Sequence, residues 1–165
     1  MRCRRPTRRT PADPGAARVY KIPVSVLVVI HTRALDVLLL ERFDRPGFWQ
    51  SVTGSLDRLD EPLDETARRE VLEETGIDAG QGRLVDWKQS SRYEIYPHWR
   101  ARYGPGVTEN VEHAFGLELD DRLPVVLSPR EHTRYQWLPW SEAAGKVFSS
   151  TNGDAIRRLP LLASR

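Results

Sequence analysis

Residues 54–77, GSLDRLDEPLDETARREVLEETGI, decide the fold. The central run Arg69-Glu70-Val71-Leu72-Glu73-Glu74 holds helix formers and no internal Gly or Pro, which predicts a helix. Glu70, Glu73 and Glu74 are spaced i, i+3, i+4, so their carboxylates share one face within a turn. Leu63, Ala67 and Val71, spaced by four, form an apolar stripe toward a core. Like charges this close destabilise an isolated helix slightly. A hard divalent cation offsets that repulsion, since Mg²⁺ takes oxygen ligands and binds substrate phosphates through one or two carboxylates. A solvated acidic surface is the plainer reading of the same letters. Gly76 is expected to end the helix in the left-handed conformation, with Ile77 making the hydrophobic contact beyond it.

Upstream, IPVSVLVVI at 22–30 is strongly β-branched and predicts a buried central strand. His31 to Asp36 reads as a turn, Val37 to Glu41 as a second strand, and residues 43–47 as another turn. Phe48 to Gly54 forms a short strand leading into the helix loop, and its Trp49 suits either the core or a site. Downstream, residues 78–82 turn and residues 83–96 hold two short extended pieces. Pro97 to Val107, with His98, Arg100, Arg102, Tyr103 and two Gly, has the composition of a long functional loop. Glu109 to Leu119 is a strand, residues 127–132 a loop, and Tyr135 to Leu138 a final strand. Ser141 is expected to cap a helix starting at Glu142. A last helix begins near Thr151 or Asn152 and turns Ile156 and Leu159 inward. Strands alternating with a strong internal helix and a C-terminal one give an α/β domain.

At 165 residues the chain fits one domain with a substantial core. Residues 1–18 carry six Arg against Asp13 alone, net +5; the rest has 19 basic and 22 acidic residues, net −3. That Pro-rich basic segment, without apolar periodicity, reads as a disordered tail preceding a domain at 19–165. It has neither the apolar core of a secretory signal nor the order of a transit peptide. The single Cys, Cys3, rules out an intrachain disulfide and a cysteine metal cluster, and fits a reducing cytoplasm. No run approaches the length needed to span a membrane.

The 54–77 stretch resembles the signature box of the Nudix hydrolases through Gly54, Glu61, Arg69, Glu70, Val71, Glu73, Glu74, Gly76 and Ile77. The family separates its first Gly and Glu by five residues, whereas six intervene here. Register is intact from Glu61 to Ile77, so the extra residue belongs to the Ser55 to Asp60 loop. The resemblance runs from Val19 to Ile156 and implies the Nudix α/β/α sandwich with a mixed central sheet. Val19-Tyr20-Lys21, Phe48 to Ser55, Arg102 to Thr108, Glu131-His132, Tyr135 to Leu138 and Ser149 to Asn152 bring it nearest to one branch of that family. That branch acts on dihydroneopterin triphosphate in folate biosynthesis and also accepts dATP.

What the resemblance implies is metal-dependent hydrolysis of that triphosphate to a monophosphate and pyrophosphate. Glu70, Glu74 and Glu131 become ligands of Mg²⁺ or Mn²⁺, with Glu73 or Glu131 orienting water. Lys21, Arg42, Thr53, the Tyr93-Glu94-Ile95-Tyr96 strand and Ser149 fall around substrate. Gly54, Arg69 and Gly76 support the helix and its carboxylates. A flat bicyclic ring would stack on an aromatic such as Trp49, Tyr93 or Tyr96. His98 and His113, as isolated histidines, are weaker acid–base candidates. The expected partner is a small-molecule triphosphate, with no specific nucleic acid, membrane or required protein. The alternatives are a broader Nudix nucleoside triphosphate or dinucleoside polyphosphate hydrolase, and a non-enzymatic nucleotide- or RNA-binding module.

Overall fold

The structure is a computed structural model and describes residues 19–163. The basic segment 1–18 lies outside the described residues. Seven strands form one mixed sheet: β1 (Val24–Thr32), β2 (Asp36–Arg42), β3 (Trp49–Gln50), β4 (Val52–Ser55), β5 (Arg83–Glu94), β6 (Glu109–Leu119) and β7 (His132–Pro139). The main order is β3-β2-β1-β6-β5, with β4 paired to β1 and β7 to β2.

β1 organises the sheet. It runs parallel to β6 over nine register pairs, from Val24↔Val111 to Thr32↔Leu119. Its first half also pairs antiparallel with β4 (Ser25↔Ser55 to Val28↔Val52), while it meets β2 at His31↔Val37. A strand buried on both faces needs apolar, β-branched residues throughout, which is what the run over Val26–Ile30 supplies. The strand extends beyond the sequence expectation. His31 and Thr32 belong to it and are buried, because the parallel ladder with β6 continues through Glu118 and Leu119.

The two sheet faces support two separate cores. Val26, Val28, Ile30, Phe115 and Leu117 pack beneath α1 (Leu63–Thr75), whose Ala67 and Val71 are fully buried. Leu27, Val29, Val37 and Leu39 pack beneath α2 (Trp140–Lys146) and α3 (Ser150–Leu162), with Ile156 and Leu159 at the centre. The result is an α/β/α sandwich. Gly76 has φ 70° and its N–H reaches the Leu72 carbonyl, so the helix ends as the sequence predicts.

Further local details differ from the sequence reading, and the single strand expected over residues 48–54 is two, β3 paired with β2 and β4 with β1. Residues 83–94 form one strand, broken by a bulge between Asp86 and Gln89 where Lys88 has φ 54° and its N–H bonds the Asp86 carboxylate. β7 begins at His132, not Tyr135. Ser141 lies inside α2; Pro139, extended at φ −50°, occupies the cap position without a side-chain bond. Pro fixes φ and has no N–H to leave unpaired, so it stands directly before Trp140 and the helix begins two residues ahead of the expected Glu142.

Candidate active site

α1 presents its acidic face to the end of β4. Glu70 and Glu74 are buried, whereas Glu73 points toward solvent. Gly54 makes the first approach possible: a Cβ there would sit 1.9 Å from the Glu70 carboxyl carbon. Arg69 holds the cluster together. It donates to Glu61 (3.0 Å), to Glu70 Oε1 (2.8 Å) and to the Ser55 carbonyl (3.1 Å), and lies 3.5 Å from Glu73. Glu61 accepts the Asp57 N–H at 2.6 Å, which ties down the loop carrying the extra residue.

Burial pushes the Glu70 carboxyl up to about 8, and the neighbouring Glu74 charge adds to it. Glu74 is raised for the same first reason, opposed by His132. His132 Nε2 lies 3.3 Å from Glu74 Oε2, yet neither atom has a well-oriented hydrogen bond, so the proximity is not a satisfied pair. Ligand atoms of Glu74, Glu131 and His132 fall within 4.8 Å of one another. Buried carboxylates that repel each other and leave an oxygen unpaired are a fit for a divalent cation, whose charge offsets both the burial penalty and the mutual repulsion.

Beside this acidic cavity (about 360 Å³) lies a second of about 250 Å³ between the sheet and the start of α3. Lys21, Arg42, Thr53, Tyr93, Glu94, Ile95, Tyr96 and Ser149 line the second; Glu70, Glu73, Glu74, Glu131, Gly54 and Arg69 line the first. Lys21, Thr53 and Arg102 belong to both and form the passage between them. Lys21 is fixed by its N–H to the Arg102 carbonyl (2.8 Å); its ammonium pKa is lowered by burial and then by Arg102, while Glu70 and Glu74 oppose the shift. Arg42 donates to Gln50 and Asp44 and stacks 4.5 Å over Trp99. Tyr96, Trp99 and Phe148 form an aromatic wall, with Tyr96 and Trp99 centroids 5.3 Å apart.

Trp49 is the sequence candidate that the geometry moves elsewhere. It is 5% exposed, packs in the core beneath α2 and α3, and carries Lys146 4.5 Å over its ring. β3 pairing sends its side chain inward, so the stacking surface falls to the wall at Tyr96, Trp99 and Phe148. His98 stacks on Tyr96 and lines neither cavity, and His113 on β6 lines neither as well. The sequence marks the loop that holds Trp99 and Arg102, and the Glu131-His132 pair, without giving Trp99, Arg102 or His132 a role, and it gives no sign of Phe148. Glu112 carries a signal in the alternation along β6, which puts it on the same face as Asn110 and Ala114.

Residues 21–159 match the model of the NUDIX domain. The chain belongs to the NUDIX family. Within that family it is 43% identical over 150 residues to the dihydroneopterin triphosphate diphosphatase of Escherichia coli K12, covering 89% of this chain and 98% of the relative. The enzyme of that name from Haemophilus influenzae is 40% identical over 142 residues, covering 84% and 88%. The solved structure of the E. coli dihydroneopterin triphosphate pyrophosphohydrolase superposes with a TM-score of 0.80 at 44% identity, over 87% of this chain and 98% of that one. A NUDIX hydrolase of Listeria monocytogenes shares the fold at TM-score 0.68 and 22% identity. The Gly54–Ile77 stretch is thus a NUDIX box, one residue longer in its first loop.

Proposed function

We infer that this NUDIX enzyme hydrolyses dihydroneopterin triphosphate to dihydroneopterin monophosphate and pyrophosphate, with dATP as a secondary substrate, acting in the cytoplasm. The observation that carries the reading is the pair of joined cavities. One is aromatic and polar and sized for a flat ring; the other is acidic; two cations, Lys21 and Arg102, stand at their junction. The two relatives named for this activity support the choice of ring.

Glu70, Glu74 and Glu131 would hold the divalent ion, Mg²⁺ or Mn²⁺, which neutralises phosphate charge and makes water nucleophilic near neutral pH. Lys21 and Arg102 receive the phosphates as they cross from one cavity to the other, where fixed positive charge stabilises the charge of the leaving pyrophosphate. Arg69 has its donors committed to Glu61 and Glu70 and so orients carboxylates instead of meeting substrate. Glu73 and Glu131 are exposed at the acidic cavity, where either could orient the attacking water. Tyr96, Trp99 and Phe148 supply the stacking face for the ring.

The test is a comparison of kcat/KM for dihydroneopterin triphosphate, dATP and diadenosine tetraphosphate, with and without chelator. The pterin triphosphate should lead, and chelation should abolish turnover until metal is added back. A lead for diadenosine tetraphosphate would replace this reading with a dinucleoside polyphosphate hydrolase.

A further inference from the structure

The ring cavity contains two carboxyl groups, and they differ in kind. Glu94 has a 75% exposed side chain and is paired with Arg100. Glu112 is 6% exposed, and no cation pairs with it among the described residues. Among the described residues its one hydrogen bond comes from a hydroxyl, Thr151 Oγ1, 3.2 Å from Oε1. Thr151 has a single proton to give, so the Ser149 hydroxyl, 2.9 Å away, donates to Thr151 in turn. A buried carboxylate with one neutral donor is under-satisfied, and stays so at a cost unless a ligand completes it.

We propose that Glu112 is the specificity-determining residue that reads the edge of the ring, accepting paired hydrogen bonds from the ring N–H and exocyclic amino group of a 2-amino-4-oxo pyrimidine edge. The assignment rests on the pterin triphosphate reading above. Spacing agrees with it. Ser25 on β1 lies in register with both Ser55 on β4 and Glu112 on β6, so Glu112 stands two strands from β4, about 10 Å. Thr53 on β4 borders the acidic cavity, so a bicyclic ring and its short side chain bridge that interval and deliver the first phosphate to Lys21 and Thr53.

The same carboxyl explains how an adenine substrate is tolerated. Burial pushes Glu112 up to about 7, against the pull of the Thr151 bond. The ionised form accepts twice and matches a pterin or guanine edge; the protonated form donates once and accepts once and matches adenine. Tyr93 on β5 and Tyr103 face Glu112, and both are raised by burial, so they stay neutral through this range. Ser25 and Thr151 bring no charge from β1 and α3. Lys21, Arg42, Arg102 and Glu94 line the same cavity, and an effect common to two triphosphates drops out of the ratio between them.

The experiment measures kcat/KM for dihydroneopterin triphosphate, dGTP and dATP from pH 6 to 8.5, in the wild type and in Glu112→Gln, with melting curves to confirm folding. The amide keeps the shape and offers one donor and one acceptor. Expected is a fall of about 10- to 100-fold in the pterin-to-dATP and dGTP-to-dATP ratios. In the wild type both ratios rise with pH through about 7 as Glu112 ionises, and in the variant they are flat. Ratios unchanged by the substitution, all three substrates falling together, or a pH slope that survives in the variant would overturn the assignment. So would a wild type active on dATP alone. A wild type inactive on the pterin triphosphate but active on dGTP would remove the substrate reading, while the dGTP-to-dATP ratio would still decide the role of Glu112.

Discussion

At the scale of single residues, the acidic cavity depends on how closely β4 lets α1 approach. Gly54 has no side chain where a Cβ would meet the Glu70 carboxyl at 1.9 Å. The obstructed group is the end of a flexible side chain, so Gly54→Ala should displace the carboxylate without unfolding the protein. The expected outcome is a melting temperature within a few degrees of wild type, but activity that demands far more metal and recovers only partly at saturation. Glu74→Gln retains the packing and removes a buried charge at the centre of the cluster. Its kcat should fall by about two orders of magnitude or more at saturating Mg²⁺, while its fold, read by circular dichroism, is kept. Near-wild-type turnover in Glu74→Gln would remove Glu74 from the metal site.

At the scale of elements, α3 is bolted to the strand end by one side chain. Asn152, 2% exposed, accepts the Ser51 N–H and donates to the Ser51 hydroxyl, both at 2.9 Å, across 101 residues of sequence. Asn152→Ala leaves a buried backbone donor unpaired and should cost about 1–3 kcal/mol, visible as a lower melting temperature. Because Ser149 and Thr151 sit in the same turn, the variant should also raise KM for the triphosphate. The elements were legible to the extent that their signals are local. The i, i+3, i+4 carboxylates, the apolar stripe and Gly76 define α1 within a few turns of chain, and β1 announces itself by β-branched density. Ser141 was misread because Pro139, two residues earlier, set the helix start by its own fixed backbone. Trp49 shows a different limit: a large aromatic suits a core and a ring site equally well, and only the pairing of β3 with β2 decides between them. The sequence marks Arg102 by its loop and His132 by its place beside Glu131 but gives neither a role, since the Lys21 backbone bond to the Arg102 carbonyl and the approach of His132 to Glu74 are made far along the chain.

At the scale of the whole molecule, the sandwich places two chemically different cavities side by side at one end of the sheet. α1 supplies carboxylates from one face, while α3 and the inward residues of β5 and β6 shape the ring pocket on the other. No helix among the described residues is long and apolar enough to cross a membrane. The arrangement makes a statement about which bond breaks. A ring held in the inner cavity puts the first phosphate at the Lys21–Thr53–Arg102 junction, next to the acidic cluster, and leaves the outer two phosphates to depart together. Hydrolysis of dihydroneopterin triphosphate in ¹⁸O-labelled water, with products separated and weighed by mass spectrometry, tests this directly. The expected result is one ¹⁸O atom in dihydroneopterin monophosphate and none in pyrophosphate; label in the pyrophosphate, or orthophosphate as the first product, would contradict it.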